Sequence, residues 1–354
     1  MVKPLEGRRV VITGGTGSLG QVLTRRVLAG ELGSPDKVII FSRDEAKQHF
    51  MRVEYENRVA ATDEIIYSNF RRLLEFRIGD IRDYHSVAVL LRDADVIINT
   101  AALKQVPTCE YFPEEAVRTN VGGAENIVRA IQQHTLPVET VVGVSTDKAC
   151  KPVNVMGMTK ALQERIFIQG NLRWPGTRFI CVRYGNVLAS RGSVIPLFHE
   201  QIRSGGPVTI TVPDMTRFLL SLNDAVDTVF AALCHAKRGE TYIPRAATAR
   251  MVDIATALVD GRQIPQRITG IRPGEKLHEV LVSEEESHRT IHRGGFYAIK
   301  PLLPELCDCE KAPLLGKEYS SADNVMTLAQ TAALLRLHGL MVPERSLHAA
   351  ELLR

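Results

Sequence analysis

One stretch near the N-terminus limits the fold more than any other. Arg8-Arg9-Val10-Val11-Ile12 is a short apolar run that leads without a break into Thr13-Gly14-Gly15-Thr16-Gly17-Ser18-Leu19-Gly20. Val22, Leu23, Val27 and Leu28 then recur at helical spacing. A G-x-x-G-x-x-G segment between a buried strand and a helix makes a tight turn. It lets backbone N–H groups approach a pyrophosphate and aims a helix N-terminus at it. The same rhythm recurs downstream: residues 37–41, 73–78, 95–99, 140–144 and 178–182 are apolar runs separated by helical patterns. Such alternation predicts an α/β chain with a Rossmann-type doubly wound parallel sheet.

After Arg183 the rhythm breaks into loops and short elements, which predicts a smaller, interleaved C-terminal substrate lobe. The expected division is a dinucleotide-binding domain over 1–185, with a returning segment near 221–237, and a lobe over 186–220 and 238–300. Residues 301–354 are expected to extend onto the core. In that tail Leu328, Ala332 and Leu335 share a helical face, with Thr327 and Gln330 at its start and Gly339 at its end.

Several positions fit a dinucleotide. The run 37–41 ends in Ser42-Arg43-Asp44 with Lys47 one turn on. An acid there takes a ribose 2′-hydroxyl and an arginine a 2′-phosphate, so Arg43 and Lys47 lean towards NADP while Asp44 leaves NAD open. Asp80 and Ile81 close the next strand, where the acid either meets an adenine amine or is solvated. Small residues Thr100-Ala101-Ala102 let a flat ring lie against the backbone, and Lys104 follows within reach of a phosphate or sugar. Pro113 with Glu114 and Glu115 opens a helix.

The chemistry gathers in Ser145-Thr146-Asp147-Lys148-Ala149-Cys150-Lys151-Pro152-Val153-Asn154-Val155-Met156-Gly157-Met158-Thr159-Lys160, at the carboxyl edge of the run 140–144. Asp147 and Lys148 are adjacent, and Lys160 lies one helical turn after Met156. In an extended segment Asp147 and Lys148 would point to opposite sides. Further on, Arg191, Arg217 and Arg272 form a basic set suited to a diphosphate.

Other classes recede. With net charge +4 spread over 354 residues there is no basic cluster for nucleic acid. No apolar run approaches the roughly 18 residues of a membrane span, and Met1-Val2-Lys3-Pro4-Leu5-Glu6 is unlike a signal peptide. Six irregularly spaced cysteines suit a reducing cytoplasm. Cys307-x-Cys309 has no partner pair. His288 and His292 stand four apart, as in helical zinc pairs, but lack a third ligand, so no metal is expected.

The glycine loop, Met156-x-x-x-Lys160 in place of Tyr-x-x-x-Lys, and the interleaved second lobe resemble an extended short-chain dehydrogenase/reductase. More narrowly, the chain resembles the UDP-N-acetylglucosamine 4,6-dehydratases of bacterial surface-polysaccharide and flagellin-sugar synthesis. The matching stretches are Phe41-Ser42-Arg43-Asp44-Glu45, Ala101-Ala102-Leu103-Lys104-Gln105-Val106-Pro107, Thr119-Asn120-Val121 and Ser145-Thr146-Asp147-Lys148-Ala149. They continue through Arg183-Tyr184-Gly185-Asn186-Val187, Ser190-Arg191-Gly192-Ser193, Met215-Thr216-Arg217-Phe218 and Ile271-Arg272-Pro273-Gly274-Glu275-Lys276 to Tyr319-Ser320-Ser321.

This resemblance implies oxidation at C4 of a UDP-sugar, loss of water across C5 and C6, and reduction at C6, with C5 inverted or retained. It makes Asp147 the acid at C6 and Lys148 the base at C5, with Thr146, Met156 and Lys160 completing the catalytic set. The cofactor, NADP with NAD open, is expected against Gly14, Thr16, Gly17, Ser18, Leu19 and Gly20, and against Ser42, Arg43, Lys47, Asp80 and Ile81. Ala101, Ala102, Lys104, Asn120, Lys160, Tyr184, Asn186 and Val187 complete that set. The substrate is expected on Lys104, Thr146, Asn186, Arg191, Val194, Thr211, Arg217, Arg272 and Glu275. A thioether has no proton to exchange, so the C4 hydroxyl proton goes to Thr146, to a water on Lys160, or to Asp147. The resemblance also implies a homo-oligomer. The alternatives are a C4 epimerase of the same superfamily and a non-catalytic nucleotide-sugar or NADP-binding protein.

Overall fold

A computed structural model describes residues 3–57, 64–188, 193–307 and 312–342. The chain forms two compact units. The first comprises the described residues of Met1–Gly185, Leu222–Ala246 and Glu279–Ser320.

Its core is a nine-stranded sheet. Strands β1 (Arg9–Thr13), β2 (Lys37–Ser42), β3 (Leu74–Ile78), β4 (Val96–Asn99), β5 (Thr140–Thr146) and β6 (Arg178–Tyr184) lie in the spatial order 3-2-1-4-5-6, all parallel. Ile12 on β1 sits level with Ile40 on β2 and Ile98 on β4, each fully buried. Helices cover the inner strands, so β1, β2, β4, β5 and β6 are mainly apolar on both faces, whereas edge strand β3 alternates Leu74-Glu75-Phe76-Arg77-Ile78. Val11, Ile39, Ile97 and Val141 pack in one cluster with Leu91, Ile127, Val128, Ile131, Phe167 and Phe179. Each such side chain contributes about 2 kcal/mol on burial. Gly143 on β5 makes room for Phe167, whose Cδ2 lies 2.4 Å from where a Cβ would stand.

Beyond β6 the sheet continues with Thr241–Pro244, parallel to it, and then an antiparallel hairpin of Phe296–Ile299 and Thr290–Arg293. The boundaries therefore differ from those expected. Of 238–300, placed in the lobe on its broken rhythm, the ends belong to the sheet unit: Thr241–Pro244 is a buried strand and Glu279–Ser320 supplies the hairpin. His288 follows the Glu284–Ser287 helix and His292 lies in a strand, bonded to Arg245, so they form no helical pair.

The second unit comprises the described residues of Asn186–Ser221, Ala247–His278 and Ser321–Arg354. Thr216–Leu220 is the middle strand of a sheet of three, flanked by Ala247–Arg250 and Asn186–Val187. Val208–Ile210 pairs in parallel with Gln266–Ile268. Phe198, Ile254, Leu258 and Leu335 fill its core. The tail helix, Leu328–Leu337, carries the capping box of Thr327 and Gln330, and Gly339 follows at φ +63. It packs on the Met251–Val259 helix of this unit rather than on the sheet, because Leu335 and Thr331 are its buried face. No described helix is long and apolar enough to cross a membrane.

Candidate active site

The glycine loop closes as its spacing demands. Gly14 adopts φ +66, and a Cβ there would stand 2.8 Å from both Cα and N of Ala101, so only glycine fits beside β4's continuation. A Cβ on Gly20 would lie 2.4 Å from Gly15 Cα, so glycine lets the Ser18–Leu28 helix sit on its own loop. No side chain caps that helix, whose first N–H groups (Ser18, Leu19, Gly20) suit a pyrophosphate. Thr16 Oγ1 is 2.9 Å from Ser42 Oγ, tying the loop to the end of β2. Arg43 lies 3.6 Å from Asp80, and Lys47 pairs with Asp44. Burial would raise the Asp80 carboxyl, but hydrogen bonds from Arg82 and the charge of Arg43 bring it below its ordinary range. Asp80 is thus engaged by arginine, next to buried Ile81.

Beyond β4, Ala101 and Ala102 remain half-buried and Lys104 is exposed. Asn120 is buried and fully used: Oδ1 accepts from Leu103 N at 2.9 Å, and Nδ2 donates to Leu103 O and to Thr159 Oγ1. It holds the segment after β4 against the Val155–Arg173 helix. Asn120 lies in a widened turn, Val117–Gly122, inside an otherwise α-helical run from Pro113 to Gln133. Tyr184, at the end of β6, is buried, which pushes its hydroxyl pKa up.

At the end of β5 the chain stops being extended. Thr146 keeps β geometry, then Asp147–Ala149 forms a single tight turn. Asp147 and Lys148 therefore do not alternate as an extended pair would. Lys148 Nζ donates to Asp147 Oδ1 at 3.0 Å, and Thr146 Oγ1 donates to the same oxygen at 2.8 Å. Asp147 is 1% exposed, and its Oδ2 is buried with no hydrogen-bond partner. A buried carboxyl oxygen left unbonded marks a place for a ligand's polar group. Lys148 Nζ also lies 3.2 Å from Glu279 Oε1, a carboxyl 2% exposed. Glu279 escaped the sequence reading. Its one signal was an acid opening the apolar run Val280-Leu281-Val282.

The Val155–Arg173 helix starts at Asn154, whose Oδ1 accepts from Gly157 N at 2.8 Å. A Cβ on Gly157 would lie 2.2 Å from Lys148 O, so glycine brings the helix directly onto the acid–amine turn. Met156 is buried with Cys109 and Ala116, as a flexible gap-filler. Lys160 Nζ donates to Val144 O at 2.5 Å and Gln163 Oε1 at 2.7 Å, leaving a third N–H for a ribose hydroxyl. Burial lowers its pKa to about 8.

Behind the turn lies a buried ion network. Arg183, 3% exposed, donates to both oxygens of Glu164 (3.0 and 2.7 Å), both of Glu286 (2.8 and 3.0 Å) and Leu281 O (2.9 Å). Ser145 donates to Glu164. Burial would raise Glu286, but Arg183 overrides it and holds it at about 2. Through Leu281, Arg183 anchors the strand Val280–Val282, immediately after Glu279.

In the second unit, Arg217 is buried, donating from Nη1 to Thr216 O at 2.7 Å and Leu277 O at 3.2 Å. Thr211 O accepts from Gly270 N at 2.9 Å. Arg272 is exposed, 4.0 Å from Glu275. Asn186 and Val187 form an edge strand, and Val194 opens the Val194–Arg203 helix. Arg191 and Cys309 lie outside the described residues.

A profile of polysaccharide biosynthesis proteins matches residues 10–301. A Rickettsia prowazekii protein named UDP-glucose 4-epimerase is 41% identical over 333 residues, 93% of this chain and 89% of its own. A Campylobacter jejuni protein named UDP-N-acetylglucosamine 4,6-dehydratase (inverting) is 40% identical over 300 residues, 84% of each chain. The crystal structure of Pen from Bacillus thuringiensis, 31% identical, superposes with a TM-score of 0.83 over 95% of this chain and 99% of its own.

Proposed function

Since this chain belongs to the polysaccharide biosynthesis protein family, extended short-chain dehydrogenases/reductases of the nucleotide-sugar dehydratase and epimerase type, we propose that it is a UDP-N-acetylglucosamine 4,6-dehydratase. The observation that carries this reading is the Thr146-Asp147-Lys148 cluster around a buried Asp147 whose Oδ2 is unbonded. A C4 epimerase needs proton transfer only at the C4 hydroxyl, which Thr146 and Asp147 would serve, and that leaves the Lys148 amine without work. A dehydratase needs both, one at C6 and one at C5.

The nicotinamide cofactor supplies the redox chemistry at C4 and C6. Thr146 relays the C4 hydroxyl proton to Asp147, because the Met156 thioether cannot take it. Asp147 then gives that proton to the C6 hydroxyl, which leaves as water. Lys148 takes the C5 proton made acidic by the 4-ketone and returns a proton to C5 at the end. The proton count closes within one turnover. Lys160 orients the nicotinamide ribose from its buried seat.

Arg43 and Lys47 favour NADP over NAD, and Arg191, Arg217, Arg272 and Glu275 would hold the UDP. Return of a proton by Lys148 to the face it left would retain C5; inversion, in keeping with the Campylobacter relative's name, would require the 4-keto intermediate to turn its other face to the amine. The product, a UDP-4-keto-6-deoxy-N-acetylhexosamine, would serve surface polysaccharide or glycoconjugate synthesis in the cytoplasm, made by a homo-oligomer.

The test is UDP-N-acetylglucosamine incubated with the enzyme in heavy water and read by mass spectrometry and NMR. Loss of water with deuterium at C5 is expected. The Rickettsia relatives' names favour the epimerase, which would give a 4-epimer with no water lost and would refute the dehydratase. Lys148→Ala should abolish C5 exchange while cofactor binding persists; normal exchange would remove Lys148 from the base role.

A further inference from the structure

The proposed chemistry makes a demand that Asp147 and Lys148 do not meet alone. To take a C5 proton the amine must be neutral, yet it sits against a buried carboxyl at 3.0 Å, which favours the ammonium. The structure supplies a second carboxyl. Glu279 Oε1 lies 3.2 Å from Lys148 Nζ, on the side chain of a residue 2% exposed. One amine thus lies within proton-transfer distance of two buried carboxyls.

We propose that Glu279 is the proton acceptor that frees Lys148 to act as a base, a positioning residue that works through the amine. The inference rests on the dehydratase reading. In the resting cluster Asp147 and Glu279 are ionised and Lys148 is the ammonium between them. When the C4 hydroxyl proton reaches Asp147, that carboxyl becomes neutral and its hold on the ammonium is lost. The Lys148 proton then passes along the 3.2 Å contact to Glu279. Asp147 is now the acid and Lys148 the neutral base that elimination requires. Asp147 protonates the leaving hydroxyl, and Lys148 takes the C5 proton and returns one of the hydrogens then on its Nζ, which in heavy water are deuterium exchanged in before turnover. The proton on Glu279 goes back to Lys148, and the cluster ends as it began. No net proton is taken from or given to solvent within the turnover.

Several charged groups on neighbouring segments are bonded to other partners. On the neighbouring strand and helix, Arg183 is bonded to Glu164 and Glu286, and Lys160 to Val144 O and Gln163. After the turn, Lys151 pairs with Glu318.

The test compares wild type, Glu279→Gln and Glu279→Asp across pH 6–9. It reads C5 deuterium exchange and, in the same samples, single-turnover cofactor reduction as the report of C4 oxidation. Wild type should exchange C5 with little dependence on pH. In Glu279→Gln the amine can lose its proton only to solvent. Exchange should fall roughly 10²-fold at neutral pH and climb about tenfold per pH unit, while C4 oxidation persists. Glu279→Asp, which keeps a carboxyl, should recover the flat profile. A residue that merely braced the turn would lower exchange equally at every pH. That result, or a Glu279→Asp profile as steep as that of Glu279→Gln, overturns the proposal. Should Glu279→Gln fail to fold, a pH indicator in wild-type single turnover decides: one proton released per site on C4 oxidation overturns the relay, and none supports it. Wild type that reduces the cofactor without C5 exchange or water loss refutes the dehydratase reading itself. Wild-type exchange with an unaltered Glu279→Gln profile removes Glu279 alone.

Discussion

Replacing Arg183 with methionine should leave Glu164 and Glu286 facing each other, without a counter-charge, in the interior of the sheet unit. Glu286 is held at about 2 against an ordinary 4.5, which amounts to about 3 kcal/mol of stability at neutral pH. Leaving two buried carboxylates unpaired places the total loss at about 3–5 kcal/mol. The sign of the pH dependence separates this from simple packing damage. A carboxyl depressed in the folded state stabilises above its unfolded value, and that stabilisation disappears as pH falls from about 4.5 through 2. Wild type should therefore lose stability over that window. In Arg183→Met the same carboxyls become easier to protonate folded than unfolded, so the deficit relative to wild type should shrink as the solution is acidified. Urea unfolding followed by the fluorescence of Trp174, the single tryptophan, at pH 3–8 measures both curves. Arg183→Met/Glu164→Gln/Glu286→Gln, which removes all the charges, should recover much of the loss. A deficit of the same size at every pH would refute the reasoning.

Two further outcomes are expected. Gly157→Ala would drive a Cβ into Lys148 O at 2.2 Å, so the acid–amine turn must move. C5 exchange should fall about 10²-fold while cofactor titration by fluorescence is unchanged. Lys160, at about 8 folded against an ordinary 10.5, binds fewer protons than the unfolded chain between those values. Stability should therefore rise with pH across that window by about 3 kcal/mol, and Lys160→Met should abolish the rise in urea unfolding.

The glycine loop and six parallel strands were legible because their signals are local: a period of residues, a glycine where a Cβ meets backbone. Asp147 and Lys148 stood out in the sequence as an adjacent acid and amine, but their geometry did not. Their contact depends on the chain leaving extended conformation one residue after Thr146, which neither residue encodes. Glu279 was invisible because its meaning arises from residues more than a hundred positions away. Arg183 appeared only within a motif, yet its partners Glu164 and Glu286 bracket it from two separate segments. The tail helix was recognisable by its capping box, but an apolar face does not say which surface it covers. Thr331 and Leu335 lie in the second unit.

The chain passes between its two units five times, at 185/186, 221/222, 246/247, 278/279 and 320/321. Emerging from a ribosome, it completes β6 at Tyr184 but must wait for Thr241–Pro244 and Phe296–Ile299 before that side of the sheet is covered. Until then the apolar edge of β6 is open to pairing with another nascent chain. Lys148 and Asp147 meet each other early, whereas Glu279 joins them only after a further 131 residues have been made. On the proposed relay, a ribosome-bound fragment ending near Gly270 would carry Asp147 and Lys148 without the carboxyl that completes their proton exchange. Synthesis itself would keep the site silent until the sheet is closed.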